Sequence, residues 1–279
     1  MRLIVVTGAN KGIGHALVKH LAAESSSASK IILTARSVQR GEQALKQLES
    51  ETRSNWNPKT TVSFHQLDIN DNKSISEFSA FLDKEFGKPC IDVLFDNAGW
   101  ASMGSLLTAD IASTTINTNY FGTVAFTEAM LEYMNPKSRI VIVSSILGKL
   151  NAVSKELAEK FSSDKLTIGE LDGLMIDFVE AVRQDKTKEK GYPSNAYAYS
   201  KVGISAYARV LARKLKDDQR GIFVGSCHPG WIKTDMGGAN APHDVNYGVK
   251  TPLYLANEQI EKLYPHNGEY FSECKHEKW

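Results

Sequence analysis

Continuous apolar runs alternate with amphipathic stretches from the first residue of the chain onward. RLIVVT, residues 2–7, is such a run, the pattern of a parallel strand buried on both faces. A helix is expected from Gly12 to about Ala23, then a serine-rich loop, ESSSAS, the strand KIILTAR and the helix SVQRGEQALKQLESE. Beyond a polar loop containing Pro58 come TVSFHQLDI as strand, SISEFSAFLDKEF as helix and IDVLFDNAG as strand. A long helix near residues 110–134 leads into the strand RIVIVSS. Strands spaced by helices need right-handed crossovers. The fold class predicted is therefore α/β: a single doubly wound parallel β-sheet of the Rossmann type, flanked by helices. Repeats and Gly/Pro-rich linkers are absent, so one domain spanning 1–279 is expected.

One segment breaks the rhythm. From about residue 151 to 192 the chain is polar and helix-prone, with SKELAEKFSSD followed by TIGELDGLMIDFVEAVRQDKTKEKGY. Leu171, Leu174, Phe178 and Val182 recur there at helical spacing. A helical insert is predicted, a pair of helices packed on the main domain through an apolar stripe.

Charge and composition narrow the class. Lys and Arg number 33 against 32 Asp and Glu, a net charge of +1, which supplies no global field for nucleic acid or an acidic membrane. Cys90, Cys227 and Cys274 lie far apart without a CxxC pair, which fits free thiols in a reducing compartment. No apolar run approaches the ~18 residues of a membrane span. No signal peptide is read at MRLIVVTG, and the seven histidines form no metal-ligand spacing. A soluble cytoplasmic protein without metal is expected.

TGANKGIG stands between the first strand and the first helix. Gly8, Gly12 and Gly14 let the backbone turn tightly and approach a pyrophosphate, while the helix N-terminus offers free N–H groups and its positive dipole end. The spacing is GxxxGxG, so the commoner GxGxxG fingerprint is met only in part. At the end of the second strand an NAD site usually carries an acid for the ribose 2′-hydroxyl. Here the strand ends LTARS, and Arg36 holds that place. A guanidinium binds a 2′-phosphate with two donors, and Lys11 in the glycine turn adds a second cation. With no acid in the stretch, NADP(H) is favoured over NAD.

YPSNAYAYSK, residues 192–201, sets Tyr197 one helical turn before Lys201, with Tyr199 off that face. A cation beside a phenol favours the phenolate, so the pair is either a proton donor with its tuner or an ordinary amphipathic contact.

Together these residues resemble the short-chain dehydrogenases/reductases. The resemblance is carried by TGANKGIG, LDI with Asp68, DNAG at 96–99, NYFG from Asn119, VSSILG, Tyr197-x-x-x-Lys201 and HPGWIKTDM, in the family's order over nearly the whole chain. Within the family the likeness is to monomeric NADPH-dependent carbonyl reductases, through ILTARSVQRG, FHQLDI, PGWIKTDM, the ending GEYFSECKHEKW and the long insert.

The resemblance implies roles. Tyr197 would protonate the oxygen of a carbonyl that accepts hydride, with Lys201 lowering its pKa and binding the nicotinamide ribose. The serine that matches is Ser145, a hydrogen-bond donor to the substrate oxygen, while Ser144 turns to the other side of the strand. Asn119, rather than Asn117, matches the residue that holds a water linking the lysine to solvent. Gly8, Asn10, Lys11, Gly12, Ile13 and Gly14 would cradle the cofactor's phosphates. Asp68 and Ile69 would lie near adenine, and Asn97, Ala98 and Gly99 under the adenosine ribose. Pro229 and Gly230 form the turn before Ile232 and Thr234, which would contact the nicotinamide amide. Trp231 either stacks on an aromatic substrate or is a core tryptophan.

Departures from the family pattern are few. The usual NNAG begins here with Asp96, which predicts a local change in strand hydrogen bonding. The insert has no detailed counterpart, so the substrate is the least transferable property. Cys227 is either a reactive thiol or an inert buried one. The leading reading is an NADPH-dependent carbonyl reductase of ketones, aldehydes or quinones. Beside it stand a narrow-substrate NADP-dependent dehydrogenase of alcohols, steroids or terpenoids, and an NADP-binding sensor without turnover. A serine hydrolase is excluded, since VSSILG lacks the GxSxG elbow. Family dimers form through helices flanking the site, and the insert would cover one such face, so a monomer is expected.

Overall fold

The computed structural model describes residues 1–24, 28–102, 104 and 106–279; Ser25, Ser26 and Ser27 of the expected ESSSAS loop lie outside the described residues. Among the described residues one sheet contains β1 (Arg2–Val6), β2 (Ser29–Ala35), β3 (Thr60–Gln66), β4 (Ile91–Asp96), β5 (Met134–Val143), β6 (Phe223–Cys227), β7 (Tyr270–Ser272) and β8 (Lys275–Glu277). The strands lie in the order β3-β2-β1-β4-β5-β6-β7-β8, all pairings parallel except β7 with β8. The doubly wound sheet predicted from the apolar runs is thus present, and the antiparallel hairpin at the C-terminal edge is an addition to it.

The helices are α1 (Gly12–Glu24), α2 (Val38–Thr52), α3 (Asn72–Glu85), α4 (Ala109–Ile116), α5 (Thr123–Met130), α6 (Lys155–Ser162), α7 (Ile168–Arg183), α8 (Ala196–Lys214), α9 (Val245–Gly248) and α10 (Lys250–Asn257). Side-chain caps fix several starts: Ser37, Asp71, Thr108 and Asn195 accept backbone N–H groups in the first turns of α2, α3, α4 and α8. The sheet separates two apolar cores. One packs β1, β2 and β4 against α1, α2 and α10; the other packs the opposite face against α3, α4, α5 and α8.

Two boundaries differ from expectation. The long helix near 110–134 is interrupted by a wide π turn at Asn117–Gly122, and after a 3₁₀ turn β5 starts at Met134, ahead of RIVIVSS. Strand β3 stops at Gln66, which places Asp68 and Ile69 in the connection beyond the sheet.

The insert holds α6 and α7, as expected. Thr167 and Glu170 form a reciprocal capping box at the start of α7. The buried line of α7 is Leu171, Met175, Phe178 and Ala181, while Leu174 and Val182 stand at its margin. A tilt of the helix about its axis, set by packing on α4 and α8, decides this and is not in the spacing. Met175 fits against Gly203, where a Cβ would come within 2.7 Å of its sulfur, and Phe178 stacks on Tyr199 at 4.4 Å.

Strand β1 is flanked by β2 on one side and β4 on the other, so the winding reverses there. A crevice at the carboxyl ends of the strands at such a switch point is the ligand site that open α/β sheets provide.

Candidate active site

The phosphate end is built by locking a turn to the end of β4. Gly8 has φ +62°, a conformation open to glycine, and a Cβ there would meet the Ala98 Cα at 2.8 Å. The Thr7 hydroxyl accepts the N–H groups of Asn97 and Ala98 at 2.9 and 3.0 Å. In return Asn97 Nδ2 donates to the Thr7 and Gly8 carbonyls at 2.8 and 3.3 Å. The Asn97 carboxamide therefore fixes the shape of the glycine turn. The N-terminus of α1 at Gly12 opens into a cleft of about 740 Å³ that runs along the strand ends.

Most of the expected cofactor positions line this cleft. Gly8, Asn10, Lys11, Gly12, Ile13 and Gly14 form one wall, Asp68, Ile69, Ala98 and Gly99 another, and Pro229 and Thr234 the far rim. Gly230 and Ile232 do not line it: Gly230 takes φ +93° to make the turn, and Ile232 is buried against Gly248 and Ile13. Arg36 is exposed at one end of the cleft, and among the described residues its guanidinium has no hydrogen-bond or ion-pair partner. Lys11 differs. Its ammonium pairs with Asp235 at 2.6 Å and links the glycine turn to the loop after Pro229. Arg40 lies at the same end as Arg36; an N-terminal-turn cation on α2 was the signal for it.

At the inner end, α8 presents Tyr197 and Lys201 one turn apart. Tyr197 is partly exposed to the cleft, whereas Lys201 is buried and donates from Nζ to the Val143 carbonyl at 2.7 Å. The ammonium stands 5.6 Å from the centre of the Tyr197 ring. The expected depression of the Tyr197 pKa does not occur in the free protein. Burial raises it, opposed by a hydrogen bond from Ser145, and the cost of desolvation falls on Lys201 as well, whose pKa drops to about 8. Tyr199 points away into the insert; its ring is buried and its hydroxyl donates to the Leu174 carbonyl at 3.0 Å.

The two serines differ, and Ser144 rather than Ser145 is among the residues that line the cleft. Ser144 is buried, its hydroxyl 2.7 Å from that of Ser205 and 3.1 Å from the Lys201 carbonyl. Ser145 caps a 3₁₀ turn, Ile146–Gly148, and its Oγ accepts the Leu147 N–H at 3.2 Å, which leaves the hydroxyl proton to be donated elsewhere. Asn119 sits in the π turn, where such bulges commonly mark functional positions. Its side chain is spent: Oδ1 accepts the Trp100 N–H at 2.7 Å, and Nδ2 donates to the Trp100 carbonyl and the Ser200 hydroxyl, both at 2.9 Å. Asn117 is exposed.

Trp231 is 53% exposed, with its indole N–H on the Gly237 carbonyl at 2.8 Å, so it is not a core tryptophan. Cys227 is fully buried, and burial drives its thiol pKa well up, which makes it inert. Asp96 is buried and accepts from the Thr127 hydroxyl at 2.8 Å; burial raises its pKa to about 7. That bond ties the end of β4 to α5. No helix of the described residues is long and apolar enough to cross a membrane.

A switch-point cleft with a glycine turn at one end and a Tyr–Lys pair beside a serine at the other defines a nucleotide-dependent oxidoreductase. The chain belongs to the short-chain dehydrogenase/reductase family: the family model described as short chain dehydrogenase matches residues 2–161. It is 40% identical to the proteins named carbonyl reductase (NADPH) 1 of Pongo abelii and of Homo sapiens, covering 100% of this chain and 99% of each relative. Among solved structures, salutaridine reductase from Papaver somniferum has a TM-score of 0.84 at 27% identity, covering 98% of this chain and 100% of that one. Menthone neomenthol reductase from Mentha piperita has a TM-score of 0.79 at 26% identity, with 97% and 98% covered.

Proposed function

We propose that this protein is an NADPH-dependent carbonyl reductase acting on small-molecule ketones, aldehydes or quinones. The observation that carries the reading is the placement of Tyr197 and Lys201 at the inner end of a cleft whose outer end carries Arg36, with Ser145 in hydrogen-bond reach of the Tyr197 hydroxyl.

The residues fit the cofactor. The glycine turn is a cradle that a Cβ would fill, since one at Gly14 would come within 2.5 Å of Asn97 Nδ2, and the α1 N-terminus favours an anion. Arg36 and Arg40 would hold a 2′-phosphate, and Lys11 would join them by leaving Asp235. Asp68 and Ile69 flank the adenine end, and Thr234 with the Pro229–Gly230 turn the nicotinamide end. When bound, the nicotinamide supplies a hydride to the carbonyl carbon.

This chain's own groups handle the oxygen. Ser145 Oγ turns its proton from the Tyr197 hydroxyl to that oxygen in a hydrogen bond as charge develops there, an interaction whose loss costs about 3 kcal/mol. Tyr197 Oη gives its proton to the same oxygen, and the raised pKa keeps that proton in place until it is needed. Lys201 stabilises the phenolate left behind. Because the Asn119 carboxamide is occupied by Trp100 and Ser200, its part is to hold the π turn, whose main chain supports a relay water near Lys201. Trp231, exposed on the loop past Gly230, offers a flat apolar face to an aromatic substrate.

NADPH oxidation against quinones, aromatic ketones and aliphatic aldehydes, with NADH in parallel, tests the reading; binding of NADPH with no turnover of any compound would overturn it. A second reading, a narrow-substrate NADP-dependent dehydrogenase, is favoured by the likeness to reductases named for salutaridine and menthone. Turnover of one multi-ring or terpenoid ketone alone in an extended panel would select it. A monomer in the cytoplasm goes with either reading, supported by the packing of α7 on α4 and α8; light scattering at twice the chain's 30.8 kDa would refute the monomer.

A further inference from the structure

The turn that carries Ser145 is gripped by the C-terminal hairpin. Tyr270, on β7, donates its hydroxyl to the Ser145 carbonyl at 2.7 Å in a buried bond. The same carbonyl accepts the Gly148 N–H at 2.9 Å, so both of its lone pairs are engaged. At the other end of the turn, the Trp279 indole donates to the Gly148 carbonyl at 2.6 Å. The next residue, Lys149, pairs with Glu277 on β8, and Glu277 also takes the Ser272 hydroxyl. From the opposite side α8 closes in, since a Cβ on Gly148 would lie 2.8 Å from the Lys201 main chain. The direction of Ser145 Oγ is set inside this turn by the Leu147 N–H, and so follows the turn's shape.

We propose that Tyr270 and Trp279 are positioning residues for Ser145: they hold the two carbonyls of its turn so that Oγ faces the reacting oxygen, which makes the C-terminal hairpin part of the catalytic apparatus without touching substrate. The proposal rests on the role given to Ser145 above. Tyr270 suits the task because it is almost fully buried and its phenol stays protonated, a permanent donor. Misplacing a reacting group by a fraction of an ångström costs rate rather than binding.

The test uses the full chain, NADPH and a quinone. Tyr270→Phe removes one hydroxyl and keeps the ring in the core; Trp279→Phe removes the indole N–H and leaves a smaller aromatic ring at the chain end. We expect Tyr270→Phe to lower kcat about 10-fold and Trp279→Phe about 3-fold, with KM for both substrates within about twofold. In a Ser145→Ala background neither substitution should lower kcat further, because both act through the missing hydroxyl. Unchanged kcat in both single variants, while Ser145→Ala collapses turnover, overturns the inference and leaves the proposed function standing. Losses that multiply in the Ser145→Ala background also overturn it, as the signature of general loosening. Full turnover in Ser145→Ala itself overturns the inference and the role given to Ser145, and leaves the reductase activity standing.

Discussion

Lys201 holds its ammonium 5.6 Å from the Tyr197 ring while donating to the Val143 carbonyl at 2.7 Å, so one buried cation is tied to the sheet and faces the phenol. The two are one turn apart on α8, and the strand end of β5 fixes the distance between cation and ring. Tyr197→Phe keeps this packing and removes the proton donor. It should lower kcat for reduction by about 10²–10⁴-fold, with NADPH affinity, read by fluorescence, changed less than about twofold. A loss of tenfold or less would assign the proton to another group.

The same pair sets a pH limb. Burial disfavours charge on Lys201 and brings its pKa to about 8, while the Tyr197 phenol is pushed up and stays protonated. As pH rises through 8 the free enzyme loses the cation that stabilises the phenolate. The kcat/KM for carbonyl reduction should therefore fall above about pH 8 with a slope near one in logarithmic units. A profile that stays level to pH 10 would remove Lys201 as the controlling group.

Among the described residues Arg36 has no ion-pair partner, whereas Lys11 is already matched by Asp235. Charged hydrogen bonds contribute about 1.5–3 kcal/mol, so Arg36→Ala should lower kcat/KM for NADPH about 10–100-fold. NADH, which has no 2′-phosphate, should change by less than about twofold. Equal losses for both cofactors would place Arg36 in the fold rather than in cofactor choice.

Asp96 is a buried carboxylate whose pKa is raised from 3.8 to about 7 by desolvation. The folded chain keeps a proton there that the unfolded chain releases between about pH 4 and 7, so this group costs nothing in acid and its full penalty above pH 7. Thr127 has one hydroxyl hydrogen for two acceptors, Asp96 at 2.8 Å and the Thr123 carbonyl at 2.7 Å, a conflict that a donor at position 96 resolves. Asp96→Asn should stabilise the protein by about 2 kcal/mol at pH 8, roughly 5 °C in Tm, and by little at about pH 4. Equal shifts at both pH values would show that the carboxylate does not titrate in this range.

The apolar runs RLIVVT, KIILTAR and IDVLFDNAG determined the sheet, because strands buried on both faces must be apolar throughout. Local chemistry also carried the glycine turn and the i, i+4 placement of Tyr197 and Lys201, while the choice of Ser145 over Ser144 came only from the family resemblance. Other features are products of long-range packing. The roll of α7 that buries Met175 in place of Leu174, the loop path that turns Ile232 inward, and the capture of Lys11 by Asp235 join residues remote in sequence. The Tyr197 pKa belongs with them. Four-residue spacing brings a cation to the phenol, but desolvation depends on everything folded around the pair, and here it raises the phenol against the hydrogen bond from Ser145. The grip of Tyr270 and Trp279 on the Ser145 turn has no trace in any local pattern; it exists because the last strands of the chain return to the edge of the sheet beside β6.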